Sequence, residues 1–282
     1  MENKFKSLYT DVCIECSSLI TRRYSTSFSM GIRAFDKIYR SPIYSIYGFV
    51  RFDDEIVDTF HDFDKAKLLA QFKIDTYTAI EQGVSLNPIL HRFQLTFRKY
   101  NIGQDLVEAF FNSMEMDLSK QDYDAAAYQN YIYGSAEVVG LMCLHIFCDG
   151  NKEKYEQLRS SAQSLGAAFQ KVNFLRDIKA DFEGLERMYF PNCDFANFKP
   201  EDKQQIEADI QADFSAALKG IKALPIKARF GVYVAYKYYY TLYKKIRKTQ
   251  HDSILHTRIR IPDYGKLFIL AKAKIRSQLN LL

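Results

Sequence analysis

Apolar residues recur along this chain mainly at spacings of three and four, interrupted by only 12 glycines and 6 prolines. Because an α-helix turns once every 3.6 residues, this spacing predicts helices with one buried face throughout the chain. No stretch combines period-two alternation with hairpin turn residues, and the fold class predicted is therefore all-α. The predicted helices, with ends placed to about two to four residues, are 4–22, 42–61, 64–82, 86–100, 103–118, 124–148, 151–180, 201–220, 225–249 and 263–281.

The breaks between these segments carry residues that start or stop helices. Pro42 and Pro88 lie at the first turn of predicted helices, where proline is favoured. The longest irregular segment, 182–200, directly follows a cluster of carboxylates and is placed to close over a site like a lid. No linker is long or polar enough to divide the chain, so residues 1–282 are predicted to form a single domain.

Two short acidic segments point to chemistry rather than packing. Each contains two aspartates four residues apart, with an arginine close by. The residues are Arg51, Asp54 and Asp58 in the first segment and Arg176, Asp177 and Asp181 in the second. Residues at i and i+4 share one face of a helix, so each segment presents two carboxylates on one side.

A helical wheel shows which residues accompany these carboxylates. The residues within about 40° of Asp54 are Ile43, Tyr47, Val50 and Asp58. The strip that contains Asp177 also contains Gly166, Gln170, Asn173 and Asp181. Both faces are therefore predicted to point inward, and buried carboxylates need cations beside them.

Two interpretations of the acidic segments compete. A single segment would be a solvated helix face with Arg51 or Arg176 as its salt-bridge partner, as charge runs usually are. Two matching segments favour faces that oppose each other and hold Mg²⁺, or Mn²⁺ in its place, with a polyphosphate completing the coordination. The chemistry expected is ionisation of a diphosphate ester. A carbocation left behind needs a dry aromatic cavity, which 20 Tyr and 22 Phe can build.

Composition and charge exclude several classes of function and of cellular location. A net charge of +5, evenly spread, argues against a nucleic-acid partner but suits an anionic substrate or a passing membrane contact. The five cysteines are odd in number, and Cys13 and Cys16 lie in a helical pattern, so no disulfide framework or zinc site is expected. The N-terminus lacks the apolar run of a signal peptide, and no stretch approaches the length of a membrane-spanning helix. We expect a cytoplasmic protein that can meet the inner face of the membrane peripherally.

Taken in order, the motifs resemble those of the squalene and phytoene synthases, which join two prenyl diphosphates head to head. The matching segments are Tyr24–Phe28, Tyr47–Asp58, Met114–Leu118, Tyr131–Gly140, Gln170–Asp181 and Arg187–Pro191. The resemblance covers essentially the whole chain and implies an isoprenoid synthase-type helical bundle around a central cavity. Departures from the family pattern are Glu55, where a second Asp is frequent, Ala180, where an acidic residue is frequent, and Glu186, where Gly is frequent.

The resemblance implies roles for individual residues. Metal and diphosphate-bridging positions would be Asp54, Asp58, Asn173, Asp177 and Asp181. Diphosphate would be bound by Arg51, Arg176 and Arg187, with Ser27, Arg40 and Tyr189 as further substrate-binding residues. Near the reacting carbons, the cavity would be lined by Tyr47, Gln170 and Tyr239. The two tyrosines and the four aspartates would be the catalytic residues.

Within the family, the residues of these motifs are most similar to those of bacterial phytoene synthases. This implies condensation of two geranylgeranyl diphosphates to 15-cis-phytoene, with Mg²⁺ and without NADPH. The alternative within the family is a squalene or dehydrosqualene synthase that uses farnesyl diphosphate. These two functions differ in the length of the prenyl chain that the cavity must hold, so the depth of the cavity would distinguish them.

Two functions from other classes account for parts of the sequence less well. A metal-dependent helical phosphohydrolase would usually use histidine ligands, but the five histidines lie outside both acidic segments. A non-catalytic helical scaffold could use the tyrosine-rich run 233–243 as a partner surface, although such stripes are more often core. A scaffold would not respond to magnesium.

Overall fold

The computed structural model describes residues 4–119, 123–185, 189–191 and 198–278, and every regular element in them is helical. This confirms the all-α prediction. In chain order the elements are α1 (Lys4–Tyr24), α2 (Thr26–Ala34), α3 (Lys37–Thr59), α4 (Lys65–Gln82), α5 (Pro88–Lys99), α6 (Gln104–Met116), α7 (Ala125–Ile132), a π-helical turn (Tyr133–Glu137), α8 (Val138–Cys148), α9 (Lys152–Leu185), α10 (Pro200–Ala223), α11 (Ile226–Lys248), α12 (His251–His256) and α13 (Asp263–Gln278).

Short polar side chains fix where these helices begin. Asp36 accepts a hydrogen bond from a backbone amide two residues further on, at 3.1 Å, and caps α3. Asn87 caps α5 in the same way at 3.0 Å. Such acceptors satisfy amides that have no partner within the helix. Because of the Asp36 cap, α3 begins at Lys37 rather than at 42, and Pro42 lies inside it.

The structure differs from the sequence prediction at three other places. The pattern does not predict α2, which Ser25 caps at 3.1 Å, or the six-residue helix α12. Helix α9 continues to Leu185, so the segment predicted to be irregular from 182 begins inside a helix. Of the rest of that segment, only 189–191 and 198–200 are described, and the predicted lid otherwise lies outside the described residues.

The helices pack around a central cavity. Helix α9 is the longest and contacts α8, α10, α11 and α12, while α3 packs on α1, α5 and α8. The buried side chains form one contiguous core, with Phe49 stacked on Phe93 at 3.9 Å between ring centroids. At Gly166, an added Cβ would lie 2.6 Å from the carbonyl oxygen of Ala136. Glycine at this position therefore lets α9 approach the π-helical turn closely.

One helical stretch among the described residues, Ala125–Cys148, is long and apolar enough to cross a membrane, contrary to the expectation from the sequence. Its mean hydropathy reaches 1.4, and 56% of its most apolar window is buried inside the protein. A core helix has the same properties, so the stretch is a weak indication of a membrane span.

Candidate active site

The central cavity has a volume of about 890 Å³ and brings the two acidic helices together. Every residue that the helical wheel groups with Asp54 on α3 lines it, and so do Asp177, Gly166, Gln170 and Asn173 on α9. Asp181 also lies on α9, but its side chain is outside the described part of the structure. The inward orientation of both faces, predicted from the wheel, is confirmed for the described side chains.

The first acidic face is built on α3. Burial, together with the charge of Asp58, raises the pKa of Asp54 to about 7. Arg51 lies beside these carboxylates, with its Nη1 at 3.7 Å from Asp54 and its Nη2 donating to Glu55 at 2.5 Å. The guanidinium also lies 4.5 Å from the ring centroid of Tyr24. Glu55, which departs from the family pattern, therefore holds the arginine at the cavity wall.

The second acidic face is built on α9 and carries more cationic partners. Asp177 accepts hydrogen bonds from Arg176 through both of its oxygens. It also pairs with Arg258, whose Nε lies 2.7 Å and Nη2 3.2 Å from the carboxylate. Asn173 shares this wall, and its Oδ1 is buried without a hydrogen-bond partner among the described residues. The face therefore presents two arginines to the cavity, and the side chain of Asn173 lines the same wall.

Arg258 is a site residue that sequence reasoning missed. It lies between α12 and α13, in a segment where arginine and isoleucine alternate from Arg258 to Ile261. Both isoleucines are buried and all four side chains line the cavity. The alternation itself was the available signal, because period-two patterns indicate extended chain with one apolar side.

Two tyrosines link the acidic faces. Tyr47 on α3 is stacked on Phe28 at 4.5 Å between centroids, and Tyr239 on α11 is stacked on Phe169 at 3.9 Å. Burial raises the pKa of Tyr47 to about 12 and also raises the pKa of Tyr239. Tyr239 also contributes to raising the pKa of Tyr47, while Arg176 and Asn173 act to lower the pKa of Tyr239. Both hydroxyls therefore stay protonated at neutral pH and lie between the two walls.

Away from the carboxylates, the cavity is walled mainly by apolar side chains. They come from α2 and the residue after it, α8, α9, α10 and α11, and they include Met30, Ile32, Phe35, Leu144, Phe147, Leu158, Leu165, Ile221 and Val232. Small residues, including Gly140, Ala162 and Gly220, keep the space between them open. One cavity thus joins a charged wall to an apolar interior.

Four predicted substrate-binding residues are not brought to the described cavity wall. Arg40 donates from Nε to the carbonyl oxygen of Phe35 at 2.9 Å and is not among the lining residues. Tyr189 is buried and stacks on Phe174 at 4.0 Å, so it packs behind the wall instead of on it. The side chain of Ser27, on α2, and the whole of Arg187 lie outside the described residues.

The oxygen atoms on the two faces fit a hard divalent cation. Asp54, Asp58, Asn173 and Asp177 supply carboxylate and amide oxygens, which are the ligands that Mg²⁺ prefers. A cation would offset the repulsion between Asp54 and Asp58, which together with burial raises the pKa of Asp54. Within the described residues, no three carboxylate, histidine or cysteine side chains gather as a closed metal site.

Comparison with known proteins agrees with this geometry. Residues 21–264 match the squalene/phytoene synthase family. A phytoene synthase from Arthrospira platensis is 24% identical over 92% of this chain and 91% of its own length. A presqualene diphosphate synthase from Sinorhizobium fredii is 31% identical over 65% of each chain. A crystal structure of a dehydrosqualene synthase superimposes with a TM-score of 0.82 at 17% identity, covering 97% of this chain and 98% of its own.

The family match spans most of the sequence and includes both acidic helices. The proteins of this family are prenyltransferases that join prenyl diphosphates head to head. This chain belongs to the squalene/phytoene synthase family.

Proposed function

We propose that this chain is a Mg²⁺-dependent 15-cis-phytoene synthase that condenses two geranylgeranyl diphosphates. The observation that carries the proposal is the single cavity in which two acidic faces adjoin an apolar, aromatic-walled interior. Two diphosphate groups and two long prenyl chains are the ligands that such a division accommodates. Phytoene synthases match more than nine-tenths of the chain, whereas the presqualene diphosphate synthase from Sinorhizobium fredii matches 65% of it.

The charged residues are arranged to favour cleavage of the bond between the diphosphate and C1 of the prenyl chain. Arg51, Arg176 and Arg258 present guanidinium groups from three elements, and each can bind phosphate oxygens in a bidentate manner. Asp54, Asp58, Asn173 and Asp177 would hold Mg²⁺, which when bound neutralises the negative charge that develops on the departing diphosphate. Binding the leaving group more tightly as its charge grows favours cleavage of the C1–O bond.

The reaction proceeds through two ionisations. In the first, the C1–O bond of one substrate breaks, and C1 joins the C2–C3 double bond of the second substrate with loss of a proton. The product is a cyclopropyl diphosphate. In the second, this intermediate loses its diphosphate, rearranges and loses another proton, which forms the central double bond of phytoene. Two diphosphates are released, and no hydride donor is required.

The aromatic walls protect the cations between these steps. The ring faces of Phe28, Tyr47, Phe169 and Tyr239 lie beside the two acidic faces, and aromatic faces attract positive charge. Because the tyrosine hydroxyls remain protonated, they do not capture the carbocation as phenolates. The apolar lining keeps water, the competing nucleophile, away from the reacting carbons.

The test uses purified protein with Mg²⁺ and without NADPH, in separate incubations with geranylgeranyl diphosphate and with farnesyl diphosphate. We expect a C40 hydrocarbon from the first incubation. Release of diphosphate without a C40 hydrocarbon would refute the assignment. Product only from farnesyl diphosphate would instead favour the squalene or dehydrosqualene synthase alternative, to which the structural similarity to a dehydrosqualene synthase also points.

A further inference from the structure

Helix α13 has an inner face that packs on the protein and an apolar outer face that no described residue covers. Its inner face includes Lys266, Ile269 and Leu270, which line the cavity, and the buried Ala273. The outer face of α13 is the stripe formed by Tyr264, Leu267, Phe268, Ala271 and Ile275. The four large side chains of this stripe are 78%, 59%, 68% and 58% exposed, respectively. Four large apolar residues on one helix face are more than the scattered exposure usual for a surface.

Basic residues border the outer face of α13 on both sides. At 100° per residue, the stripe spans roughly 100° of the helix, and Lys272 and Lys274 lie just beyond its two edges. Of the six basic residues between Arg258 and Arg276, three line the cavity and three, Lys272, Lys274 and Arg276, are exposed on α13. A helix with an apolar stripe between lysines is suited to lie in the plane of a membrane interface.

We propose that the outer face of α13 docks on the surface of an anionic lipid bilayer. Its apolar side chains would enter the acyl boundary while the flanking lysines contact lipid phosphates. Charge complementarity favours this partner over a second copy of the chain, because two such faces would bring their lysines and arginines together.

The position of α13 gives this docking a consequence for the reaction. The same helix carries cavity-lining residues on one face and the exposed stripe on the other, so it forms the wall between the cavity and the proposed bilayer. A prenyl substrate or a hydrocarbon product could pass between cavity and lipid beside this helix. That consequence rests on the proposed function, whereas the docking itself does not.

The experiment is co-sedimentation of the purified protein with vesicles, in the absence of substrate. One set of vesicles contains phosphatidylcholine alone, and the other contains about one-third phosphatidylglycerol. We expect binding to the anionic vesicles that weakens as salt is added. The variant Leu267→Ser/Phe268→Ser should lose at least ~10-fold in affinity, because two side chains no longer bury apolar surface in the lipid.

Two further variants make the result decisive. The pair Ile74→Ser/Leu86→Ser is the matched control, since these apolar side chains are 58% and 93% exposed but lie far along the chain on α4 and the following loop. It should bind as the wild type does. The pair Lys272→Gln/Lys274→Gln removes only exposed charges, and it should also lower affinity for anionic vesicles roughly 10-fold.

Specific results would overturn the proposal. These are absence of wild-type binding, equal binding by the Leu267→Ser/Phe268→Ser variant, or a wild-type dimer that this variant dissociates. Because no substrate is present, the outcome is independent of the condensation assay. A protein that binds vesicles but forms no C40 product would refute the proposed function and leave the docking surface intact.

Discussion

Replacing Asp54 by asparagine should stabilise the metal-free protein while it removes activity. Burial and the charge of Asp58 move the pKa of Asp54 from 3.8 to about 7. Keeping this carboxylate ionised in the folded protein therefore lowers the free energy of unfolding. At about 1.4 kcal/mol for each pH unit, the unscreened cost would be ~4 kcal/mol. Because the side chain is 33% exposed, screening by solvent lowers this cost to ~1–2 kcal/mol.

The sign of the pH dependence follows from proton linkage. The folded protein binds the Asp54 proton more tightly than the unfolded chain does. The cost is therefore absent below about pH 4, grows as the pH rises toward 7 and is complete above it. Urea unfolding in EDTA at about pH 8 should show Asp54→Asn to be more stable than the wild type by ~1–2 kcal/mol. The difference should shrink at about pH 4.5.

Magnesium should reverse the order of stability, because a cation bound to the folded state stabilises the wild type and has lost a ligand in the variant. Asp75→Asn, an exposed change of the same kind on α4, is the matched control and should show neither effect. If Asp54→Asn is no more stable than the wild type at pH 8 in EDTA, then burial and the charge of Asp58 do not destabilise the ionised carboxylate of Asp54. A difference that persists unchanged at pH 4.5 would contradict the reasoning as well.

Other consequences concern the helices that position the second face. Gly166→Ala should lower the free energy of unfolding by ~1–3 kcal/mol and reduce turnover, because the new Cβ would lie 2.6 Å from the Ala136 carbonyl oxygen. The control is Gly31→Ala, whose new Cβ would have no neighbouring atom within 4 Å. This control should leave the free energy of unfolding in urea unchanged or slightly raised. Equal stability of the two variants would mean that α9 can shift freely. Lys171→Met should cost ~2–4 kcal/mol in urea unfolding, because the buried ammonium pairs with two aspartates of α10 at 2.5 and 2.7 Å. An unchanged midpoint would show that this ion pair does not hold α9 against α10.

Much of the site could be predicted from local sequence because both acidic faces follow helix periodicity. Once Asp54 and Asp177 are placed on helices, the wheel identifies their neighbours on the wall, including Gly166 and Gln170. The prediction ended α9 at 180, but the helix continues to Leu185, because a single glycine, Gly184, weakens a helix by only about 1 kcal/mol without ending it.

Tertiary contacts decide the remaining residues. Arg258 reaches Asp177 across 81 positions of sequence, and no local pattern reports such a contact. Arg40 and Tyr189 illustrate the reverse case, in which residues expected from the resemblance pack against a backbone carbonyl and an aromatic ring instead. A motif match predicts which residue types occur and in what order along the chain. The orientation of each side chain also depends on contacts with residues that are distant in sequence.

The two acidic faces are unequal in the structure, and this bears on how they act. Asp177 is already paired with two arginines, whereas Asp54 faces Asp58 and a single arginine held partly by Glu55. The first face therefore has the greater need for a cation. We expect Mg²⁺ to bind the metal-free protein more weakly in Asp54→Asn than in Asp177→Asn, as measured by isothermal titration with inorganic diphosphate present. The opposite order would contradict this difference between the faces.

The most direct measurement is product formation from geranylgeranyl diphosphate and Mg²⁺ by the wild type, Asp177→Asn and Asp75→Asn. We predict a C40 hydrocarbon from the wild type and from the exposed control. Asp177→Asn should lose activity by at least ~100-fold with its helical circular dichroism unchanged, because one of the two opposing faces no longer holds the departing diphosphate and its metal. Near-normal C40 formation by a folded Asp177→Asn would contradict a site that requires both faces.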